Sequence, residues 1–127
     1  MGPLIEIDAA RQSGWKTPNG EIWWPPNNGA VPGTEVPITL SPGTRIDRYG
    51  HPFGYYTSPT DTPFTNRALS SSTDINDYHV YEVLKPIEAE SATIAAWFDE
   101  AGGGTQYKLT DRVKNLIDNG SLKEIKE

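Results

Sequence analysis

Four stretches of the chain carry the residue pattern of β-strands. Residues 36–40 and 44–49 alternate between apolar and polar positions, and the turn Ser41-Pro42-Gly43 between them predicts a hairpin. Residues 78–84 have apolar or aromatic side chains on both faces, which predicts a strand inside a sheet. Residues 105–109 follow three consecutive glycines and predict a fourth strand.

Helical spacing is clearest near the C-terminus, where apolar residues of 113–117 share one face. Residues 110–111 offer a cap at the start of this short helix, and Gly120 fits just beyond its end. A last short strand is expected at 122–125, whereas 89–98 fits either a strand or a short helix. The pattern predicts a compact α+β domain of mostly short antiparallel strands, with long loops and one or two short helices.

Residues 1–35 show no such periodicity and predict an irregular segment that wraps the core. We set residues 1–20 apart as an irregular N-terminal arm that precedes a domain at 21–127. The segment contains three tryptophans among turn signals, which either anchor the arm by their indoles or bind sugars. These are Trp15, Trp23 and Trp24.

Composition narrows the classes of function. The chain has 127 residues, 12 glycines and 11 prolines, as expected for one loop-rich domain. It has no cysteine, so disulfides and thiolate metal sites are excluded, and its two histidines are too far apart in sequence to favour a zinc site. The net charge of −6 argues against nucleic-acid binding.

Membrane and export signals are also missing from the sequence pattern. No apolar run approaches the roughly 20 residues that span a bilayer, so we expect no membrane insertion by this domain. The first residues lack the basic and apolar regions of a signal peptide. Export would therefore have to be directed by something else.

Two stretches hold candidate ligand-binding groups. Arg48 shares a strand face with Ile46, so it is either paired with a carboxylate or available to an anionic ligand. The turn-rich residues 50–72 hold Phe53, Tyr55 and Tyr56, which either form a binding loop or fill a small satellite core.

The glycine run is the third candidate. Gly102, Gly103 and Gly104 allow the backbone to pass close to a ligand and deliver the amide of Gln106 to one face of the next strand. The alternative is an ordinary glycine loop before an edge strand with an exposed polar residue. His79, at the start of its strand, is either a hydrogen-bonded structural residue or a catalyst.

In their order along the chain these segments closely resemble the TNT-domain NAD glycohydrolases, the family of the tuberculosis necrotizing toxin. The resemblance runs from about residue 21 to residue 125. The matching stretches are Trp24-Pro25-Pro26-Asn27-Asn28-Gly29, Val36-Pro37-Ile38-Thr39-Leu40, Pro42-Gly43-Thr44, Ile46-Asp47-Arg48-Tyr49-Gly50, Thr62-Pro63-Phe64, Arg67-Ala68-Leu69, Tyr78-His79-Val80-Tyr81, Lys85-Pro86, Trp97-Phe98 and Gly102-Gly103-Gly104-Thr105-Gln106-Tyr107.

The resemblance implies a fold like that of ADP-ribosylating toxins and cleavage of the nicotinamide–ribose bond of NAD. Because nicotinamide departs neutral, no acid has to protonate it. The resemblance assigns Arg48 to the diphosphate, Gln106 to the ribose and the attacking water, and catalytic roles to Tyr56 and His79. Further substrate contacts are expected from Tyr49, Phe53, Tyr55, Gly102, Gly103, Gly104 and Thr105.

The resemblance also implies a biological setting. Relatives usually form the C-terminal part of a larger secreted effector, act in the cytoplasm of a target cell and are paired with an immunity protein. NAD, or NADP, would be the substrate, and no cofactor or metal is expected. Two alternatives stay open, an ADP-ribosyltransferase toxin and a non-enzymatic carbohydrate-binding module. Gln106 stands where the transferases have glutamate, which counts against the first.

Overall fold

The structure, a computed structural model, describes residues 3–126. Seven strands form one sheet, and two helices accompany it, which confirms the α+β expectation. The strands are β1 (Val36–Leu40), β2 (Arg45–Tyr49), β3 (Tyr56–Pro59), β4 (Tyr78–Val83), β5 (Ile87–Thr93), β6 (Thr105–Leu109) and β7 (Leu122–Ile125). The helices are α1 (Pro3–Gln12) and α2 (Val113–Asp118), and short 3₁₀ turns lie at Asn27–Gly29 and Phe64–Arg67.

The sheet order is β1-β5-β6-β3-β2-β4-β7, and every neighbouring pair is antiparallel. β6 therefore lies inside the sheet between β5 and β3, so the alternative of an edge strand after the glycines is wrong. β4 lies between β2 and β7, as its apolar faces predicted. β6 with Gln106 and β4 with His79 are thus each fixed by hydrogen bonds on two sides.

The predicted hairpin of 36–49 does not form. β1 pairs with β5, whereas β2 pairs with β3 and β4. The intervening turn passes the chain to the other half of the sheet, because the amide of Gly43 donates to Val83 and the carbonyl of Thr44 accepts from the amide of Val83. Two further assignments change: residues 56–59 of the predicted loop form β3, and the first half of the ambiguous stretch, residues 89–93, belongs to β5.

The main core lies on the face of the sheet that α2 covers. Its most deeply buried members include Ile46, Tyr81 and Leu109, each at most 2% exposed. Val113 and Leu116 of α2 pack into the same cluster, as helical spacing predicted. The opposite face of β2, β3 and β6 is left for the residues of the functional site.

A second, smaller cluster lies at the N-terminal side, where the expectation of irregular structure is wrong for residues 3–12. These residues form α1, whose Ala10 is fully buried and whose Ile7 packs against the same cluster. Three buried partners complete the cluster: Ala68, Ile94 and Trp97. α1 has too little apolar periodicity to be recognised in the sequence. Packing against the second cluster, which the sequence pattern does not report, stabilises this helix. The domain start at residue 21 stays a prediction.

Candidate functional site

A cleft of about 480 Å³ opens between the second cluster and the sheet. Of the residues singled out in the sequence, Arg48, Tyr49, Tyr56 and Gln106 border it. A smaller cavity of about 90 Å³ shares these four residues and extends to Asp47. The structure therefore brings together a part of the expected site.

Gln106 projects into this cleft from β6. Its Nε2 donates to the main-chain carbonyl of Asn28 at 3.3 Å, and a Cβ added to Gly29 would lie 3.8 Å from its Oε1. Asn28 and Gly29 both have positive φ, 55° and 80°, so the turn that packs on the amide uses a conformation suited to Asn and Gly. The contact fixes the direction of the Gln106 amide.

The three glycines before Gln106 allow close packing within the protein. A Cβ on Gly102 would lie 2.7 Å from the backbone of Ala95, and one on Gly104 would lie 2.8 Å from the carbonyl of Asn66. The amide of Gly104 donates to that carbonyl at 3.0 Å. Gly102, Gly103, Gly104 and Thr105 do not border the cleft, so the expectation that they contact substrate is not met by this geometry.

Arg67 is the main group that the sequence reasoning did not assign to the site. It borders both cavities and forms a bidentate pair with the fully buried Asp47, with Nη2 donating to Oδ2 at 2.8 Å. Its Nε and Nη2 also donate to the carbonyl of Thr62. Contacts to the described residues thus occupy four of its five N–H groups, and one remains for a ligand.

The surroundings keep Arg67 charged and rigid. Burial lowers the pKa of Arg67, but the hydrogen bonds to Asp47 and the charge of Asp47 outweigh this effect. The pKa of Arg67 is therefore above its ordinary value. The Tyr78 hydroxyl also donates to Asp47 at 2.7 Å, and burial together with this bond raises the pKa of Tyr78 to about 12. The guanidinium lies 5.2 Å from the centre of the Tyr49 ring. The plane of the Arg67 guanidinium is therefore fixed in the cleft wall.

Arg48 is oriented differently from its expected role. It pairs with His79 across β2 and β4, and residues that pair across strands share a face. That face is the one of Ile46 and the main core, opposite to the face of Asp47. Its Nε donates to the carbonyl of His51 at 2.8 Å and its Nη1 to that of Tyr56 at 2.9 Å. Arg48 thus ties the following loop to β2, and burial lowers its pKa.

His79 lies apart from the cleft and borders another cavity of about 580 Å³. Its Nε2 lies 2.6 Å from Asp77 Oδ1 and its Nδ1 lies 2.8 Å from Glu124 Oε2. Hydrogen bonding to Glu124, followed by that to Asp77, raises the pKa of His79 above its ordinary value. Both ring nitrogens are committed to carboxylates, so the structure does not bring His79 to Gln106.

The aromatic loop is divided between two surfaces. Tyr56 borders both the cleft and a separate cavity of about 660 Å³, whereas Tyr55 borders only the separate cavity of these two. Tyr55 lies under the guanidinium of Arg112, 5.3 Å from ring centre to Cζ. Phe53 is 52% exposed and is not part of the cleft. Of the three rings, only Tyr56 is placed with Gln106.

Two aromatic residues that the sequence reasoning did not assign, Trp24 and Phe98, form the rim of the cleft. Their rings meet edge to face with centroids 5.8 Å apart. Three non-glycine residues on the cleft lining have positive φ, a conformation that clusters at functional sites; they are Asn28, Ala68 and Phe98. The matched segments around Trp24, Arg67 and Phe98 were the available sequence signal, but they carried no indication of role.

The charge of the cleft differs from that of the whole chain. Arg67 presents its guanidinium on the lining of the larger cavity, and Asp47 in the smaller one is bound to Arg67. Arg48 also borders both cavities, but its guanidinium donates to the carbonyls of His51 and Tyr56. A site of this kind suits an anionic ligand and offers no pair of free carboxylates for acid–base cleavage of a glycosidic bond. Among the described residues, no group of three His, Asp or Glu side chains could hold a metal ion, and neither helix is long and apolar enough to cross a membrane.

Known proteins with similar sequences include a fungal and a mycobacterial one. The conidial surface nicotinamide adenine dinucleotide glycohydrolase nadA of Aspergillus fumigatus is 36% identical over 129 residues, which cover 89% of this chain and 55% of that protein. The outer membrane channel protein CpnT of Mycobacterium tuberculosis is 31% identical over 120 residues, which cover 80% of this chain and 14% of that protein. The chain thus spans about half of the fungal relative and a small part of the mycobacterial one.

Solved structures show the same fold. Tuberculosis necrotizing toxin, solved in complex with its immunity factor, matches 97% of this chain and 83% of its own with a TM-score of 0.66 at 22% identity. Rhs1-CT, solved with its cognate immunity protein, matches 73% of this chain and 78% of its own with a TM-score of 0.54 at 18% identity. The family model described as tuberculosis necrotizing toxin matches residues 39–125. The chain belongs to the tuberculosis necrotizing toxin family.

Proposed function

We propose that the chain is an NAD glycohydrolase that hydrolyses the nicotinamide–ribose bond of NAD in the cleft around Gln106. The observation that carries this proposal is the fixed amide of Gln106 beside a charged arginine in a cleft without free carboxylates. Its membership of the family and the glycohydrolase named among its relatives support the same substrate.

The diphosphate of NAD is assigned to Arg67 and the backbone after it, in place of Arg48. Arg67 has one free N–H in the cleft, and its charge is maintained by Asp47. Ala68 adopts a left-handed conformation with φ and ψ of 48° directly after the right-handed 3₁₀ turn. Such a succession points consecutive N–H groups to one side and forms a concavity that binds anions.

Gln106 carries the chemical step. The C1′–N bond breaks, its electron pair leaves with the nitrogen of nicotinamide, and the oxygen of water bonds to C1′ of the ribose. The water loses one proton to solvent, so the products are nicotinamide, ADP-ribose and a proton. An amide donates to one oxygen and accepts from another, so Gln106 can hold a ribose hydroxyl and orient the water. These contacts strengthen as positive charge develops on the ribose.

The flat groups of the cleft suit the two bases of the substrate. Tyr56 borders the cleft near Gln106 and is assigned to the nicotinamide end, where a ring next to the pyridinium gains about 0.5–2 kcal/mol from cation–π attraction. The rim pair of Trp24 and Phe98 offers a further aromatic surface. No cofactor or metal takes part in the proposed reaction, whose co-substrate is water.

The structure does not favour either alternative. A carbohydrate-binding module would need exposed indoles, yet Trp15 and Trp23 pack against the second cluster and only Trp24 is largely exposed, at 61%. A transferase would need a carboxylate to activate its acceptor, and Gln106 is neutral.

The setting of the reaction is also part of the proposal. Both structural neighbours described above were solved with immunity proteins, and CpnT is a much longer protein than this chain. We therefore expect the domain to be secreted, or delivered within a larger effector, to act on NAD in the cytoplasm of a target cell and to be inhibited by a cognate immunity protein.

One assay tests the proposed activity. The purified protein is mixed with NAD alone, and free nicotinamide and ADP-ribose are measured by chromatography. Equal amounts of both products without any added acceptor support the proposal. Nicotinamide release that depends on a target protein would indicate a transferase, and the absence of release would leave a binding module. A parallel reaction with NADP defines the range of substrates.

A further inference from the structure

Phe98 and Asp99 form a strained corner at the rim of the cleft. Their φ angles are 55° and 60°, in the left-handed region that non-glycine residues rarely occupy. Residues in such conformations persist only where their surroundings hold them. Because Phe98 borders the cleft and packs against Trp24, any group that holds this corner also fixes one wall of the substrate site.

The N-terminal segment provides the contacts that hold the corner. Trp15 Nε1 donates to Asp99 Oδ2 at 3.0 Å, and Arg11 Nε donates to Asp99 Oδ1 at 3.3 Å. The ring of Trp15 also packs against that of Phe98, with centroids 5.6 Å apart. Arg11 in turn lies 5.9 Å from the centre of the Trp15 ring. Asp99 is therefore the point at which two residues of the N-terminal segment meet the cleft wall.

The two N-terminal residues of the anchor lie outside the stretch that the family model covers, whereas Asp99 lies inside it. The family match begins at residue 39, beyond both Arg11 and Trp15. The Arg11–Asp99 ion pair is exposed, at 50% and 64% of the two side chains, and such pairs contribute little by themselves. The indole hydrogen bond and the ring contact are thus the main components of the anchor.

We propose that Asp99 is a positioning residue through which Trp15 and Arg11 fix the Phe98–Trp24 wall, so that the N-terminal segment sets the affinity for substrate. The inference rests on the proposed hydrolysis of NAD. Gln106 is held by a separate contact, the hydrogen bond from its Nε2 to the carbonyl of Asn28. Loss of the anchor therefore weakens the binding of NAD and leaves the chemical step intact.

Two substitutions test this role. Trp15→Phe keeps an aromatic ring against Phe98 and removes the indole N–H that binds Asp99. Asp99→Gly removes the carboxylate and also the steric penalty of the positive φ, so that a rise in KM reports the lost anchor and not added strain. Asp118→Ala is the matched control, because it removes an exposed carboxylate that is paired with Lys114 on α2, away from the cleft.

Steady-state kinetics with NAD give the first readout. KM is expected to rise about tenfold in both variants, which corresponds to about 1.4 kcal/mol of binding, while kcat stays unchanged and Asp118→Ala behaves as the wild type. An unchanged KM in either folded variant overturns the proposal, and so does a loss of kcat at constant KM.

Hydrogen exchange at residues 97–100 gives a second readout that needs no activity. The amides of Trp97 and Glu100 bond across this corner to each other's carbonyls. They are expected to exchange faster in Trp15→Phe and Asp99→Gly than in Asp118→Ala, and equal exchange rates contradict the anchor. A wild-type protein that releases no nicotinamide refutes the proposed function, and in that case this measurement still decides whether the anchor exists.

Discussion

Two sites in this molecule contain residues that the sequence marked as catalytic. The sites differ in how many hydrogen-bonding groups of the residues are not already bound within the protein. In the cleft, the Gln106 amide is held by one main-chain carbonyl and Arg67 keeps one free N–H. At β4, both ring nitrogens of His79 are committed to the carboxylates of Asp77 and Glu124. A site for substrate needs groups that are fixed but not fully satisfied, and only the cleft meets this condition.

Arg48 of β2 and Arg67 of the 3₁₀ turn show the same contrast. Arg48 borders the cleft, but its guanidinium donates to two main-chain carbonyls, whereas the guanidinium of Arg67 stands in the cleft wall and keeps one N–H free. Segments of the family resemblance contain both arginines, but alternation along β2 directs Arg48 to the face opposite to that of Asp47, and the pair with Asp47 holds Arg67 in the cleft wall.

The largest effect is expected for Arg67→Ala. This change leaves the fully buried Asp47 without its cationic partner, and breaking a buried pair in this way costs about 3–5 kcal/mol. The midpoint of chemical denaturation should fall strongly, and any folded fraction should bind NAD poorly. Arg67→Lys should restore stability in part but not affinity, because a lysine cannot reproduce the bidentate geometry. Equal affinity for NAD in Arg67→Lys and in the wild type would argue against the diphosphate assignment.

Gln106→Ala should lower kcat by about 10²- to 10³-fold, the usual loss when one preorganised transition-state contact is removed. KM should change little, and the thermal unfolding midpoint should stay close to that of the wild type because Gln106 is only partly buried. Gln106→Glu keeps the shape and adds a carboxylate, so hydrolysis should fall less than in the alanine variant. Near-normal turnover of Gln106→Ala would move the chemistry away from this cleft.

Changes at Tyr56 should have a smaller effect than those at Arg67 and Gln106, and Tyr56→Ala should be more harmful than either Tyr56→Phe or Tyr55→Ala. Tyr56 borders the cleft, while Tyr55 lies under Arg112 on another surface. Tyr56→Ala should raise KM by an amount that corresponds to about 0.5–2 kcal/mol, and the phenylalanine variant should retain most of the affinity. Should Tyr55→Ala prove the more harmful of the two alanine changes, the ring at the nicotinamide end has been misassigned.

The smallest effect concerns His79 and appears as a dependence of stability on pH. The pKa of His79 in the folded state is raised above its ordinary 6.5 by Glu124 and Asp77. The stabilisation is therefore complete below about pH 6.5 and is lost as pH rises through the folded-state pKa. Chemical denaturation at several pH values should show this decline in the wild type and a flatter profile in His79→Gln. A strong loss of kcat in His79→Gln at constant stability would restore a catalytic role.

Five of the seven strands of the described residues, all except β3 and β5, and the helix α2 could be predicted from the sequence because alternation and helical spacing reflect burial directly. Strand pairing could not be predicted, because the turn at 41–43 has the sequence of a hairpin turn. Its passage from β1 to the other half of the sheet depends on contacts with Val83, which is distant in the chain. α1 was missed because its apolar face is short and depends on the second cluster.

The residues of the site were predictable only in part, for a related reason. Gln106 was located by the glycine run and strand alternation, Tyr56 by the aromatic cluster of its loop and the family resemblance, and both border the cleft. The role of Arg67 depends on Asp47, 20 residues away in the chain, and no local pattern reports such a pairing. Gly102 and Gly104 were predicted to contact a ligand because glycine permits close approach to the backbone. The sequence does not show whether the approaching group is a ligand or, as here, another part of the protein.

The most direct test of the central claim is a crystal structure with a carbocyclic NAD analogue, in which a methylene group replaces the ring oxygen of the nicotinamide ribose and prevents cleavage. The account predicts the diphosphate at Arg67 and at the backbone amides after Ala68, with C1′ of that ribose next to the amide of Gln106. An analogue bound at the cavity beside His79, with an empty cleft, would contradict the account.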